Sequence, residues 1–263
     1  MPMPPVPAPP FHWVDAPWGP VLVCAALSPF ADHLFSARGL DVPDAQGGAG
    51  WGAVGTYLGV ADTAVWRLRQ VHGVAAHTEG VAPCDGAWPD GDLLATTRDD
   101  VALAIRTADC LPILLVDQAT GAVAAVHAGW RGTAQGAVMQ MVRVLEARFG
   151  SRPADLLAAI GPSVGPDAYE VGQDVIDAFT TAFPEHARSG RWWTARADRP
   201  GKYLIDLWTA TRDQLVLAGV DDTQVHLAGL CTATCAGMFH SYRTHGAASG
   251  RMVAAIRRVS APR

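Results

Sequence analysis

The 263-residue chain lacks any run of lysine or arginine, and its 20 basic residues are outnumbered by 25 acidic ones, giving a formal net charge of -5. Nucleic-acid and membrane-surface proteins draw most of their non-specific affinity from a basic patch, so the sequence argues against both partners. Charge of either sign is scarce, at 17% against 49% apolar residues, which is ample for a sizeable core and reads as a globular soluble protein. No apolar run is long enough for a bilayer, and residues 1–10 are proline-rich with neither a basic residue nor an apolar h-region. That stretch reads as a disordered tail rather than a signal or a span. Five cysteines, an odd number at irregular spacings (Cys24, Cys84, Cys110, Cys231 and Cys235), do not make a disulfide framework and point to a reducing, cytoplasmic setting. No internal repeat and no break in composition occurs, so residues 11–263 are expected to form one domain. The remaining partner class is a small uncharged or locally anionic molecule, and oligomeric state is left open.

What is present is concentrated between residues 101 and 149. Residues 101–105, 111–116 and 122–126 are short, apolar, β-branched-rich runs bounded by turn residues, the pattern of buried strands. The period then changes. Val138, Met141, Val142, Leu145 and Phe149 fall on one helical face, with Thr133 as the expected N-cap and Gly150 and Pro153 closing the helix. The strand ends carry Thr107-Ala108-Asp109-Cys110 and His127-Ala128-Gly129-Trp130-Arg131-Gly132. A helix starting there would present free N–H groups to an anion. Elsewhere residues 21–27, 31–38, 65–71, 92–97, 156–160, 225–228 and 252–256 read as extended. Residues 174–183 and 203–218 read as helices, and residues 184–200 as a polar linker. Residues 39–59, with seven glycines, read as a mobile, loop-rich lip over the site. Strands interleaved with helices, joined partly by turns and partly by crossovers, give an α/β class with three layers and a mixed sheet.

Candidate chemistry rests on His72, Cys110 and His127. Two imidazoles and a thiolate would make a zinc site with one open coordination position, the arrangement of catalytic zinc. Equally open from the residues alone, Cys110 is a buried small side chain and the histidines pack, or Cys110 is a nucleophile with His127 as base and Asp109 as orienter. Asp109 also suits a turn or a proton-transfer role. Arg38, Arg131 and Arg243 each lie beside a turn and would clamp phosphate if they converge, whereas singly each suits a surface ion pair. Trp130 and Tyr242 suit ring stacking or plain packing. Cys231 and Cys235 read as ordinary thiols.

Gln70-Val71-His72-Gly73, Thr107-Ala108-Asp109-Cys110-Leu111-Pro112, His127-Ala128-Gly129-Trp130-Arg131-Gly132, Ile160-Gly161-Pro162, Tyr169-Glu170-Val171 and Ser241-Tyr242-Arg243 occur in one order. That set resembles the bacterial YfiH/YlmD family, also called laccase-domain, multicopper polyphenol oxidase-like or peptidoglycan editing factor proteins. The resemblance spans residues 35–256. It implies a single three-layer α/β/α domain and zinc held by His72, Cys110 and His127. It further implies phosphorolysis of adenosine, inosine and methylthioadenosine, adenosine deamination, and in some members editing of cell-wall precursors. Asp109, Cys110 and His127 are then the expected catalytic residues, and Arg38, Gln70, Arg131, Tyr242 and Arg243 the expected contacts to nucleoside and phosphate. Copper is the alternative ion, but nine histidines without a His-X-His pair do not supply several copper centres. A cysteine- or metal-dependent amide hydrolase of muropeptide precursors and a non-enzymatic protein with a structural zinc are the alternatives. The sequence departs from the family in its glycine-rich residues 39–59, at Thr211 where Asn is common, and at His240 in place of a second Phe.

Overall fold

The computed structural model describes residues 4–40, 42, 49–79, 81 and 87–259. Strands β1 (Phe11–Ala16), β2 (Gly19–Cys24) and β3 (Ala31–Ser36) form a meander, followed by helix α1 (Ala49–Tyr57) and the short strands β4 (Val65–Trp66) and β5 (Ala76–His77). The central stretch supplies β6 (Leu93–Thr96), β7 (Ala102–Thr107), β8 (Leu111–Asp117), β9 (Val123–Ala128), helices α2 (Trp130–Ala134) and α3 (Ala137–Phe149), and β10 (Leu156–Ile160). Then come β11 (Glu170–Gly172), α4 (Gln173–Ala182), α5 (Pro184–Ser189), β12 (Trp193–Ala195), β13 (Lys202–Ile205), α6 (Leu207–Leu217), β14 (Val225–Leu227), α7 (Tyr242–His245) and β15 (Met252–Arg258).

The fold is the expected mixed α/β class with helices outside and sheet inside, and the sheet layer is itself double. One six-stranded sheet runs β1-β2-β3-β15-β7-β4 and the other β14-β10-β8-β9-β6-β5. Both are mixed: β4 with β7, β10 with β14 and β5 with β6 are parallel, and the other pairs are antiparallel. The period-2 alternation of each apolar run explains the stack. Along β8, Leu111, Ile113 and Leu115 face α3, α4 and α6, packing with Val142, Phe179 and Leu215. Leu114 and Val116 turn the other way, to Phe35, Leu103 and Ile105 of the opposing sheet. A strand buried on both faces must be apolar throughout, which is why these runs carry no polar alternation.

Several local expectations are corrected. Thr133 does not cap the long helix, because Gly136 in a left-handed conformation (φ 74) separates α2 from α3. Thr133 lies inside α2, its hydroxyl donating to the Gly129 carbonyl at 3.0 Å. Residues 203–205 belong to β13 rather than to a helix, since Asp206 caps α6 by accepting the Thr209 amide at 2.9 Å. The supposed linker 184–200 contains α5 and β12 and buries Trp192 completely (0% exposed), packed on Phe179 and Phe183. Residues 4–10 are tied down, with the Ala8 amide on the Ala228 carbonyl at 2.9 Å and the Trp13 indole N–H on Pro5.

The described part of the glycine-rich stretch is core, not lip. Helix α1 and the residue after it bury Trp51, Val54 and Leu58 against Leu34, Ala104 and Val253 on the outer face of the first sheet. Gly55 lets the chain fold back over the helix end, because a Cβ there would lie 2.8 Å from the Val60 carbonyl oxygen. Residues 41 and 43–48 of that stretch, and Cys84, lie outside the described residues.

Candidate metal centre

The site sits where the chain passes from one sheet to the other. Strand β7 belongs to the first sheet and β8 to the second, so Ala108, Asp109 and Cys110 form the crossing turn. Asp109 makes it with φ 90, an unusual conformation for a residue with a side chain. Its carboxylate accepts the Thr232 hydroxyl and the Arg243 amide, both at 2.6 Å, which ties the turn to the segment before β15. The pairing of Leu111 with Ala128 then sets Cys110 beside the end of β9, where His127 and Gly129 lie.

The donor atoms of His72, Cys110 and His127 lie within 4.8 Å of one another, with His72 exposed, Cys110 half-buried and His127 buried. Cys110 Sγ is 3.8 Å from His72 Nε2. Zinc bonds of about 2.3 Å to sulfur and about 2.0–2.1 Å to nitrogen at a tetrahedral angle separate S and N by about 3.6 Å, so the donor set fits such an ion. Gly129 allows the convergence, because a Cβ there would stand 2.9 Å from Cys110 Sγ and 3.0 Å from His72 Cδ2. The His127 Nδ1–H donates to Asp92 at 2.8 Å, leaving Nε2 for the centre. The amides of Val71, His72 and Gly73 also donate to the Asp92 carboxylate.

The electrostatics are those of a coupled thiolate and imidazole. Burial by itself raises the Cys110 pKa, but the charge on His127 and hydrogen bonds from His127 and His72 take it below the ordinary thiol value. Burial opposes charge on His127 as well, yet the Cys110 thiolate and then Asp92 hold it above the ordinary imidazole value.

A cavity of about 520 Å³ opens on this centre, lined on its polar side by Gln70, Arg106, Asp109, Tyr169, Tyr242 and Arg243, with Arg251 also in the wall. Gln70 is held rigidly, pairing with both the amide and the carbonyl of Arg106 at 2.8 Å. Burial, followed by the Cys110 charge, raises the pKa of Tyr169 and keeps it a neutral O–H. Two expected contacts lie elsewhere. The Arg38 guanidinium donates to the Ala236 carbonyl and is not part of the cavity wall. Arg131 lies 4.3 Å over the Trp130 ring and lines a different groove, between α2 and α4. The helix that starts there, α2, has only five residues and so carries little of a helix dipole toward an anion.

Sequence reasoning missed Asp92, Arg106, Tyr169 and Arg251 as cavity or support residues. Arg106 had a visible signal, a cation directly after the apolar run 101–105. Asp92 had none, since an acid before a strand is an ordinary turn residue.

The fold and this centre define a class: mixed α/β proteins carrying a His-Cys-His cluster at the crossing between two stacked sheets. The family model described as multi-copper polyphenol oxidoreductase laccase matches residues 51–259. The chain therefore belongs to this laccase-domain family, which includes YfiH and YlmD. A purine nucleoside phosphorylase of Deinococcus radiodurans is 41% identical over 204 residues, covering 76% of this chain and 72% of that protein. One from Bacteroides thetaiotaomicron is 40% identical over 165 residues, covering 63% of this chain and 60% of that protein's length. The crystal structure of the Bacillus licheniformis hypothetical protein YfiH superposes with a TM-score of 0.82 at 27% identity, covering 95% of this chain and 99% of that one.

Proposed function

We propose that the cavity is the active site of a zinc-dependent purine nucleoside enzyme that cleaves adenosine, inosine or methylthioadenosine with phosphate and deaminates adenosine. The observation that carries this reading is the convergence of His72, Cys110 and His127 on a cavity whose wall also holds Arg106, Arg243 and Arg251. Its relatives' naming as purine nucleoside phosphorylases supports the substrate class. His72 Nε2, Cys110 Sγ and His127 Nε2 would hold the ion, which supplies Lewis acidity and, for deamination, a bound water of lowered pKa. For phosphorolysis the arginines orient phosphate so that one of its oxygens forms the bond to the sugar C1′. The C1′–N9 bond breaks as this happens, and its electron pair leaves with the purine. Tyr242, 57% exposed at the mouth, offers a ring face to the base, and Gln70 a fixed amide. Asp109 keeps a second lone pair on each carboxylate oxygen, the capacity a proton carrier needs. The reading places the enzyme in the reducing cytoplasm, in keeping with Cys24, Cys110, Cys231 and Cys235 being free thiols. Among the described residues no helix is long and apolar enough to cross a membrane.

The test is metal analysis of protein purified without added metal, followed by turnover of the three nucleosides with and without phosphate. Arg243→Met should raise the apparent phosphate constant at least tenfold with a smaller change for the nucleoside, whereas Arg131→Ala, outside the cavity, should leave both near the parent values. Copper in place of zinc, or turnover indifferent to phosphate, would sink the corresponding half. The proximity of Cys110 Sγ to His72 favours one second reading, a cysteine hydrolase of muropeptide precursors. A Cys110→Ala protein that retains tightly held zinc yet is inactive would support that reading instead.

A further inference from the structure

Four N–H groups from two parts of the chain end on one carboxylate. Asp92, 0% exposed and one residue before β6, accepts the amides of Val71 at 3.2 Å, His72 at 3.0 Å and Gly73 at 2.7 Å, and the His127 Nδ1–H at 2.8 Å. The Asp92 carbonyl also accepts the His127 amide at 2.9 Å. An ionised carboxylate is expensive inside a protein unless hydrogen bonds replace its water, and four donors on two oxygens supply that replacement. The three consecutive amides can point at one group because His72 adopts φ 61, a left-handed conformation that a side-chain-bearing residue holds only when its surroundings enforce it. Here the enforcing group is Asp92. The strand does not need an acid at this position, since the pairing of Leu93 with Val126 already sets the register of β6 on β9.

We propose that Asp92 is the positioning residue that assembles the two-histidine half of the metal centre before any ion arrives, and that it selects Nε2 as the ligating nitrogen of His127. The proposal rests on the metal-site reading given above. Cys110 is placed independently, by the Asp109 turn and the start of β8, so the variable part of the site is the relation of the His72 turn to His127. Asp92 bonds to both. A carboxylate behind a ligating imidazole also strengthens the nitrogen as a donor, and together with the Cys110 thiolate it balances a divalent charge. Asparagine has nearly the same shape and cannot do this. Its NH2 group must take the place of Oδ2, facing the amides of Val71 and Gly73, which also donate, or of Oδ1, facing the His72 amide and His127 Nδ1, which then gives up its proton and leaves the ring protonated at Nε2, the wrong atom.

Two measurements test this. In metal-free wild-type protein, NMR should find a strongly deshielded proton on His127 Nδ1, with slow hydrogen exchange at the amides of Val71, His72 and Gly73. Cobalt titration should show Asp92→Asn binding about 10–100-fold more weakly than wild type, with the thiolate-to-cobalt band of Cys110 reached only at higher cobalt. Asp117→Asn is the control. That carboxylate is equally buried (0% exposed), accepts from Ala119 and Thr120, and lies outside the cavity wall. It should lower stability and leave cobalt affinity alone. Unchanged cobalt affinity in Asp92→Asn overturns the role of Asp92. So does a wild-type His127 with its only proton on Nε2 and freely exchanging amides at residues 71–73, a result that decides the matter even if the variant does not fold. Failure of the wild-type protein itself to take up cobalt would overturn the underlying metal-site reading.

Discussion

Cys110 contributes the anionic donor of the cluster, and its environment is set by single residues on either side. Cys110→Ala leaves two imidazoles and no neutralising charge, so the zinc content of protein purified without added metal should fall to a small fraction of the parent value. Gly129→Ala should have a related effect for a steric reason. Its new Cβ would stand 2.9 Å from Cys110 Sγ, so the ligands must move, costing about 1–3 kcal/mol of stability and at least tenfold in metal affinity by cobalt titration. In metal-free protein, burial opposes the thiolate, but His127 and the hydrogen bonds to Cys110 take its pKa below the ordinary value of about 8.5. Alkylation of Cys110 should therefore remain fast below pH 8, slow only as the thiol protonates further into the acid range, and be blocked by bound metal. An inflection at or above 8.5 would show that His127 does not stabilise the thiolate.

At the scale of elements, α1 and the β2–β3 hairpin hold the first sheet. Trp51 is 2% exposed against that sheet, so Trp51→Ala should lower unfolding free energy by about 3–5 kcal/mol in urea titration, the cost of a core cavity. A change below about 1 kcal/mol would restore the view of this stretch as a lip. In the hairpin, His33 Nε2 accepts the Cys24 amide at 2.9 Å, while Nδ1 faces the Ala31 carbonyl, an arrangement that suits the neutral ring. Burial accordingly holds the His33 pKa below 6.5. The unfolded chain thus takes up this proton at a higher pH than the native state. The stabilisation is fully present above about pH 6.5 and is lost as pH falls below it. Thermal unfolding between pH 7.5 and 5 should show a steeper loss of Tm in the parent than in His33→Gln, whose Tm should be lower at pH 7.5 and flatter.

For the whole molecule, the centre joins parts that are distant in sequence: the turn at His72, the crossing at Cys110 and the end of β9. An ion bound to all three stabilises the native state alone. At a thousandfold excess of free metal over Kd this amounts to about 4 kcal/mol, or a Tm rise of roughly 10 °C for a chain of this size. Calorimetry with and without a chelator measures it. A Tm independent of metal would mean that the ion binds weakly or also binds the unfolded chain.

The strands β7, β8 and β9 were legible in the chain because a strand buried on both faces must be apolar throughout, and three such runs with turn residues between them have few other interpretations. The α/β class followed from the same runs alternating with helical periods. Helix α1 was not legible, because its glycines hide the spacing of Trp51, Val54 and Leu58, and only the close approach to residue 60 reveals what Gly55 is for. For the site, residue chemistry nominated His72, Cys110 and His127, and family resemblance favoured a metal over a nucleophile. Which arginines face the centre was decided by the fold alone. Arg38 and Arg131 read in the sequence as turn-side residues like Arg243, yet one donates to the Ala236 carbonyl and the other stacks on Trp130, while Arg106 of β7 and Arg251, just before β15, line the cavity. Local sequence specifies a residue's chemistry and its place on an element. Its direction and companions depend on how two sheets stack, and that is set by contacts between residues far apart in the chain.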